Sequence, residues 1–357
     1  MKDNRIEKLA DILVNYSTKV KRGETILISS SDLGKPLVTE VYKKVLKAGG
    51  YPLVDIQFEE LRPIFFNLAE EHQLTNFPVI KEFEAKNIQA NIVISAPNNR
   101  KAMSNTNPDR LITRSKVLKP IKDHIVENVR WVIVNFPTNS LAQEAEMSLE
   151  EYEDFVFQAT NIDWTEMDKK QTKFKDLLDK SEIVRIKGKD TDIVLSIKGR
   201  EAIKCAGAYN MPDGEIFLSP LEDSANGYIL FDYPAIYNGR EVDGVRLEFK
   251  DGKIIKATAE KNSEYLNKLL DTDAGARFLG ELGIGMNYGI KKFTKDILFD
   301  EKIGGTIHLA AGQSYKEAGG KNNSAIHWDM IKDLKSGGEI FLDDTLVQKD
   351  GRFLVEL

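Results

Sequence analysis

From Glu215 onward the chain carries Glu215, Glu281, Glu301, His308, Tyr315, His327 and Asp329: carboxylates and imidazoles of the kind that bind divalent cations, with one phenol among them. Such a set could furnish the ligands of a two-metal hydrolase. His327 and Asp329 stand two apart in Ile-His-Trp-Asp-Met. Side chains two apart on a strand share a face, so imidazole and carboxylate converge while Ile326, Trp328 and Met330 face the packed side. His308 lies in Thr-Ile-His-Leu-Ala-Ala-Gly, a small and apolar run that alternates as on a buried strand. A lone histidine there is more often a satisfied core residue than a ligand, but two of the four histidines of the protein fall in this region. Glu281 sits inside the glycine-rich apolar segment Phe-Leu-Gly-Glu-Leu-Gly-Ile-Gly, where an unpaired carboxylate is costly; arginine, backbone amides or a metal must compensate it. Glu215 follows the turn Pro-Asp-Gly and opens Ile216-Phe217-Leu218, a position for a solvated turn residue or for a carboxylate held at the edge of a cleft. Tyr315 could donate to developing charge or simply pack.

The elements that must position these groups follow from periodicity. Residues 6, 9, 13 and 16 (Ile, Leu, Leu, Tyr) have helical spacing, which predicts an amphipathic first helix. Short apolar runs at 25–29, 52–56, 90–95 and 131–136 read as strands, with helices from Pro36, at 59–72, at 77–86 and at 108–128 between them. Pro36 suits a first helical turn, and Gly49-Gly50 a stop after Leu37, Val38, Val41, Tyr42, Val45 and Leu46. This alternation is that of a layered α/β domain. An acidic helical region from Ser140 to about Asp179 joins it to a half of different character, in which 182–187, 191–197 and 245–249 alternate at period two. At the end, 339–342 reads as a strand, and 345–348 and 352–355 flank Lys-Asp-Gly as a hairpin. The expected fold class is α/β: an N-terminal layered α/β domain with its helical connector (residues 1–180) and a strand-rich α+β C-terminal domain (181–357).

Composition bounds the function classes. A chain of 357 residues with 41% hydrophobic and 30% charged residues has enough apolar side chains for sizeable cores and about two domains. A net charge of −6 without a basic block argues against nucleic acid as a partner. No apolar run approaches a membrane span, and the charged N-terminus does not read as a signal peptide. The single cysteine, Cys205, excludes an internal disulfide and a cysteine zinc cluster, and reads as a small core residue in a cytoplasmic protein. G-x-S-x-G, the phosphate-binding G-x-x-x-x-G-K-[ST] and the dinucleotide glycine pattern are absent from the sequence, and His72 and His124 lie in charged helical contexts.

Taken in order, Val20 to Glu24, Tyr42 to Pro52, Asp163-Trp164, Thr191-Asp192, Asn210 to Glu215, Gly280-Glu281, Asp300-Glu301, His308 with Gly312 and Tyr315, and Asn323 to Asp329 closely resemble the thermophilic-type metallo-aminopeptidases, the family of aminopeptidases T and S. The resemblance spans nearly the whole length. It implies metal ligation by Glu215, Glu281, Glu301, His308, His327 and Asp329, with Glu281 bridging two ions and Tyr315 in the catalytic shell. It implies removal of N-terminal residues from short peptides by a hydroxide activated by two divalent ions, zinc, cobalt or manganese, in a homodimer. Lys302 stands where the family pattern has asparagine, and the stretch from Glu301 to His308 is longer than the family's. Two other readings remain open on the residues: a mononuclear iron oxygenase using His308, His327 and Asp329, and a non-catalytic metal- or peptide-binding protein on the same scaffold.

Overall fold

The computed structural model describes residues 3–357, and the chain divides into two compact units. One comprises Met1–Ile162 with Gly207–Pro212, the other Asp163–Ala206 with Asp213–Leu357. Among the described residues no helix is long and apolar enough to cross a membrane.

The first unit is built on a five-stranded parallel sheet in the order Tyr51–Gln57, Thr25–Ser31, Ala90–Ser95, Arg130–Asn135, Asn210–Met211. Parallel neighbours need crossovers, which is why helices alternate with these strands. The helix Lys35–Lys47 has Pro36 in its first turn and buries Leu37, Val38, Val41 and Val45. Tyr42 and Leu46, expected on the same face, are exposed, because they lie a further 100° or so round the helix from the 37/41/45 line. The chain leaves through Gly49 at φ +82°, a conformation open to glycine at no steric cost. The first helix runs from Asn4 to Asp11 and widens over Ile12–Ser17 into a π-helical stretch, closed by the Thr18 amide donating to the Leu13 carbonyl. The helix expected at 59–72 is two, Leu61–Leu68 and Glu71–Thr75. Ala69 and Glu70 are extended between them, and Glu70 exchanges a reciprocal cap with Gln73 that starts the second afresh. The acidic stretch after Asn139 also breaks up, into Asn139–Glu144, Leu149–Thr160 and Trp164–Leu178, with Ser148 and Asp163 capping the latter two.

The second unit contains two larger antiparallel sheets. Eight strands run in the order Lys253–Thr258, Arg246–Lys250, Asn226–Leu230, Thr191–Ser196, Ile183–Gly188, Glu339–Leu342, Thr345–Lys349, Arg352–Phe353, the last pair being the terminal hairpin read from the sequence. Five strands form the other sheet: His327–Asp333, Thr306–Gly312, Leu279–Gly285, Glu215–Leu218, Ile203–Cys205. Every residue of its Leu279–Gly285 and Thr306–Gly312 strands is buried, so both faces of the sheet centre are covered.

Register decides what each face carries. Gly283 pairs with His308, Glu281 with Ala310, Ala310 with Asp329, Gly312 with His327, and Gly285 with Glu215. Directly paired residues project to the same side, so one face collects Glu215, Glu281, His308, His327 and Asp329 among glycine and alanine. The opposite face carries Ile216, Leu218, Leu282, Ile284, Ile307, Leu309, Trp328 and Met330, all buried. Alternation thus gives a hydrophobic core on one side and an uncrowded polar face on the other.

Candidate metal centre

Each polar group on that face is delivered by a strand except Glu301, which follows the short helix Ile297–Asp300. Glu215 opens its strand at 6% exposure, its carbonyl taking a 2.9 Å hydrogen bond from Gln171 Nε2, which also donates to the Cys205 carbonyl at 3.0 Å. Gln171 thus ties down the strand end that presents Glu215, although nothing in the sequence distinguishes it from other polar residues of its helix.

Two clusters result. The ligand atoms of Glu215, Glu301 and His308 lie within 4.8 Å of one another, and so do those of Glu281, His327 and Asp329. Glu281 touches both: its Oε1 is 3.2 Å from His308 Nε2 and its Oε2 is 3.3 Å from His327 Nε2. His308 Nε2 is also 3.5 Å from Glu215 Oε2, and His327 Nε2 is 3.3 Å from Asp329 Oδ1. The other ring nitrogens face backbone carbonyls, His308 Nδ1 at 3.1 Å from Glu301 O and His327 Nδ1 at 2.8 Å from Gln313 O. Hydrogen bonds of this kind fix the ring orientation and leave Nε2 for a cation. Lys302, wholly buried, pairs with Glu301 and lies 3.7 Å from Glu215 Oε1. Its position in the sequence was evident, its burial was not. Tyr315 sits at the margin, 39% exposed, its ring edge-on to His327 at 5.2 Å and tilted against Phe217 at 5.2 Å.

So much buried charge shifts every group. Burial, reinforced by the Glu301 charge, raises the Glu215 carboxyl well above the ordinary range; burial likewise raises Glu301, against the pull of Lys302. Burial also opposes ionisation of Glu281 and Asp329, but the neighbouring histidines prevail and hold both low. Burial would lower both imidazoles, yet Glu281 and Glu215 bring His308 up to about 10, and Asp329 and Glu281 bring His327 up to about 11. Lys302 is held above its usual value by Glu301 and Glu215 despite burial. Burial, with Glu281 and Asp329 nearby, raises the Tyr315 phenol above its usual value too.

The residues fit a divalent cation. Glu215 Oε2 and Asp329 Oδ1 are buried with no hydrogen-bond donor in bonding geometry, one in each cluster. Native proteins rarely leave such atoms unpaired, and a bound ion is one of the recognised explanations. Carboxylate and imidazole together are the donor set of borderline first-row ions. A third grouping, Cys205 with Asp213 and Glu215, is a poorer host, because burial and the charges of Asp213 and Glu215 push the Cys205 thiol well up and keep it protonated.

Residues 2–353 match the sequence model of the thermophilic metalloprotease family, M29. The chain belongs to that family. M29 is a family of metal-dependent peptidases, so the chain is a hydrolase and the clusters are its candidate metal ligands. Among M29 relatives, "Aminopeptidase 2" of Geobacillus stearothermophilus is 25% identical over 98% of this chain and 95% of its own, and "Aminopeptidase T" of Thermus thermophilus is 26% identical over 91% of each. The solved structure of wild-type AmpT from Thermus thermophilus superposes with a TM-score of 0.85 at 25% identity, covering 99% of both chains. The structure of a 2,5-dihydroxypyridine dioxygenase from Pseudomonas putida KT2440 matches with a TM-score of 0.58 at 15% identity over 98% of this chain and 97% of its own, a likeness of fold alone.

Two expectations follow from this M29 geometry. A Cβ on Gly283 would come within 2.0 Å of the His308 ring. Gly283→Ala should therefore displace the imidazole and weaken metal binding by roughly 10–100-fold, the range for disturbing a ligand's support, with little change in circular dichroism; unchanged metal content after dialysis would refute this. The second concerns protons. With folded values near 10 and 11, both imidazoles are charged at pH 7 in the metal-free protein, and each must lose its proton to bind. Metal loading at pH 7 should thus release protons, and apparent affinity should rise with pH up to those values. Calorimetry in buffers of different protonation enthalpy measures the number released, and a value of zero would contradict the assignment.

Proposed function

We propose that this M29 peptidase is a cocatalytic aminopeptidase that removes N-terminal residues from short peptides, with two divalent ions (zinc, cobalt or manganese) held by Glu215, Glu281, Glu301, His308, His327 and Asp329. The observation that carries the reading is the placement of Glu281 between two three-ligand clusters, one carboxylate oxygen directed to each histidine. A carboxylate so placed is suited to bridging two cations. When bound, such a pair supplies Lewis acidity, lowers the pKa of water towards neutrality and offers an anchor for a free α-amino group.

The chain's own residues then divide the work. The backbone carbonyls of Glu301 and Gln313 orient the two imidazoles. The apolar opposite face of the sheet keeps the strands rigid, so five of the six ligands do not depend on loops, Glu301 being the exception after its short helix. Tyr315, half-exposed beside His327, is placed to meet a substrate, and we assign it to hydrogen bonding of the charge that develops on the scissile carbonyl oxygen. The six ligands fall within 181–357, which we take as the stretch that carries catalysis, although the compact units divide the chain differently, Asp163–Ala206 joining the second and Gly207–Pro212 the first. The lone Cys205 supports a reducing, cytoplasmic setting, and the family resemblance supports a homodimer.

A mononuclear iron site of His308, His327 and Asp329 is not favoured, because His308 clusters with Glu215 and Glu301 while His327 and Asp329 cluster with Glu281. A purely binding role does not sit with membership of a peptidase family.

The test is turnover of a short peptide with a free amino terminus against the same peptide acetylated. Cleavage of the free peptide, its loss in chelator with recovery on adding metal, and near-complete resistance of the blocked peptide are expected; efficient cleavage of the blocked peptide would make the protein an endopeptidase. For Tyr315→Phe, kcat should fall by about a hundredfold or more, as when one oxyanion donor is lost, with KM and metal content little changed. Loss of metal as well would make Tyr315 a support of the ligands, and loss of neither would leave it a packing residue.

A further inference from the structure

The two clusters differ in one respect that their ligand types do not reveal. Lys302, with no exposed surface, directs its ammonium at the Glu301 carboxylate and lies 3.7 Å from Glu215 Oε1, so both carboxylates of one cluster share a fixed cation. Among the described residues the ion pairs of Glu281 and Asp329 in the other cluster run to His308 and His327, and Lys302 acts on Asp329 only through its more distant field. An imidazole nitrogen is a metal ligand, whereas an ammonium between two carboxylates has no lone pair to offer and stands as a charge beside whatever binds there. Nor need Lys302 be displaced. It faces Oε1 of Glu215, and Oε2, on the side of His308, is the oxygen without a donor.

We propose that Lys302 is a positioning residue that makes the two metal subsites unequal: it pins Glu215 and Glu301 while its charge weakens cation binding to their cluster, so that the Glu281–His327–Asp329 subsite fills first and empties last. This rests on the reading that each cluster holds one divalent ion. Two effects of opposite sign are involved. Holding two carboxylates in place favours binding, but a buried charge repels a dication through a medium far less polarisable than water, and at a few ångströms the Coulomb effect is the larger. Removing the ammonium while keeping the volume of the side chain should therefore tighten the weaker subsite.

The measurement is a calorimetric titration of chelator-stripped protein with cobalt(II), read as affinities and stoichiometry independently of activity. The unaltered protein should bind two ions in separate steps whose dissociation constants differ by roughly tenfold or more. His327→Ala should abolish the tighter step and His308→Ala the weaker one. Lys302→Met should draw the weaker step towards the tighter by about tenfold, and Lys302→Arg, which restores the charge, should keep the gap. Two ions of equal affinity in the unaltered protein, or loss of the tighter step in His308→Ala, overturns the inference and leaves the two-ion reading standing; a total of one ion overturns that reading and the inference with it. An unchanged gap in Lys302→Met would overturn the role of the lysine. Should Lys302→Met fail to fold, Lys302→Gln, which also removes the charge, takes its place with the same expected and overturning results.

Discussion

Four carboxylates crowded against one face of a sheet, Glu215 and Glu281 buried and Glu301 and Asp329 partly so, repel one another, and the rest of the second unit is organised around that fact. No arrangement of apolar side chains could offset it; only positive charge can. Within the chain the groups that face these carboxylates are Lys302 and the two imidazoles. Divalent ions can displace the imidazole protons and do the same work with more charge at shorter range. The cluster is therefore costly to build and well adapted to cations, and the two properties have one origin. The apolar opposite face, with Trp328 and Leu309 almost wholly covered, supplies the burial that lets the fold carry this strain.

Positions between the ligands matter as much as the ligands. Gly283, Gly285, Ala310 and Gly312 line the same face, and at Gly283 even a methyl group would collide with the His308 ring. The space beside the candidate ligands is thus cleared by omission of side chains from the sheet.

The strands were legible because period-two alternation is a local property: Ile326 to Met330 separates its polar and apolar faces within five residues, and the terminal hairpin announces itself at Lys-Asp-Gly. The family was legible through motif order, since no single fragment would have been specific. What stayed hidden depends on contacts distant in sequence. That Glu281 meets both histidines is set by register between strands, and the burial of Lys302 by a turn folding back under the Asn287 amide, which donates to the Lys302 carbonyl. Gln171 acts through carbonyls more than thirty residues away, at Cys205 and Glu215. The break at Ala69-Glu70 went unread for a different reason, because Glu70 with Gln73 is a weak signal beside the apolar spacing that runs across it.

The strand Asn210–Met211 closes the parallel sheet of the first unit, and only three residues separate Met211 from Glu215, a member of the candidate metal centre in the second. Topologically the chain is therefore stitched: it leaves the second unit after Ala206, contributes one strand to the first, and returns at Asp213. No single cut yields two intact pieces. A fragment ending before residue 207 lacks the fifth strand of the first sheet, and one beginning at 213 lacks the Ile203–Cys205 strand beside Glu215. Neither unit can be lifted out as one continuous stretch of sequence, so each depends on a segment that the other interrupts.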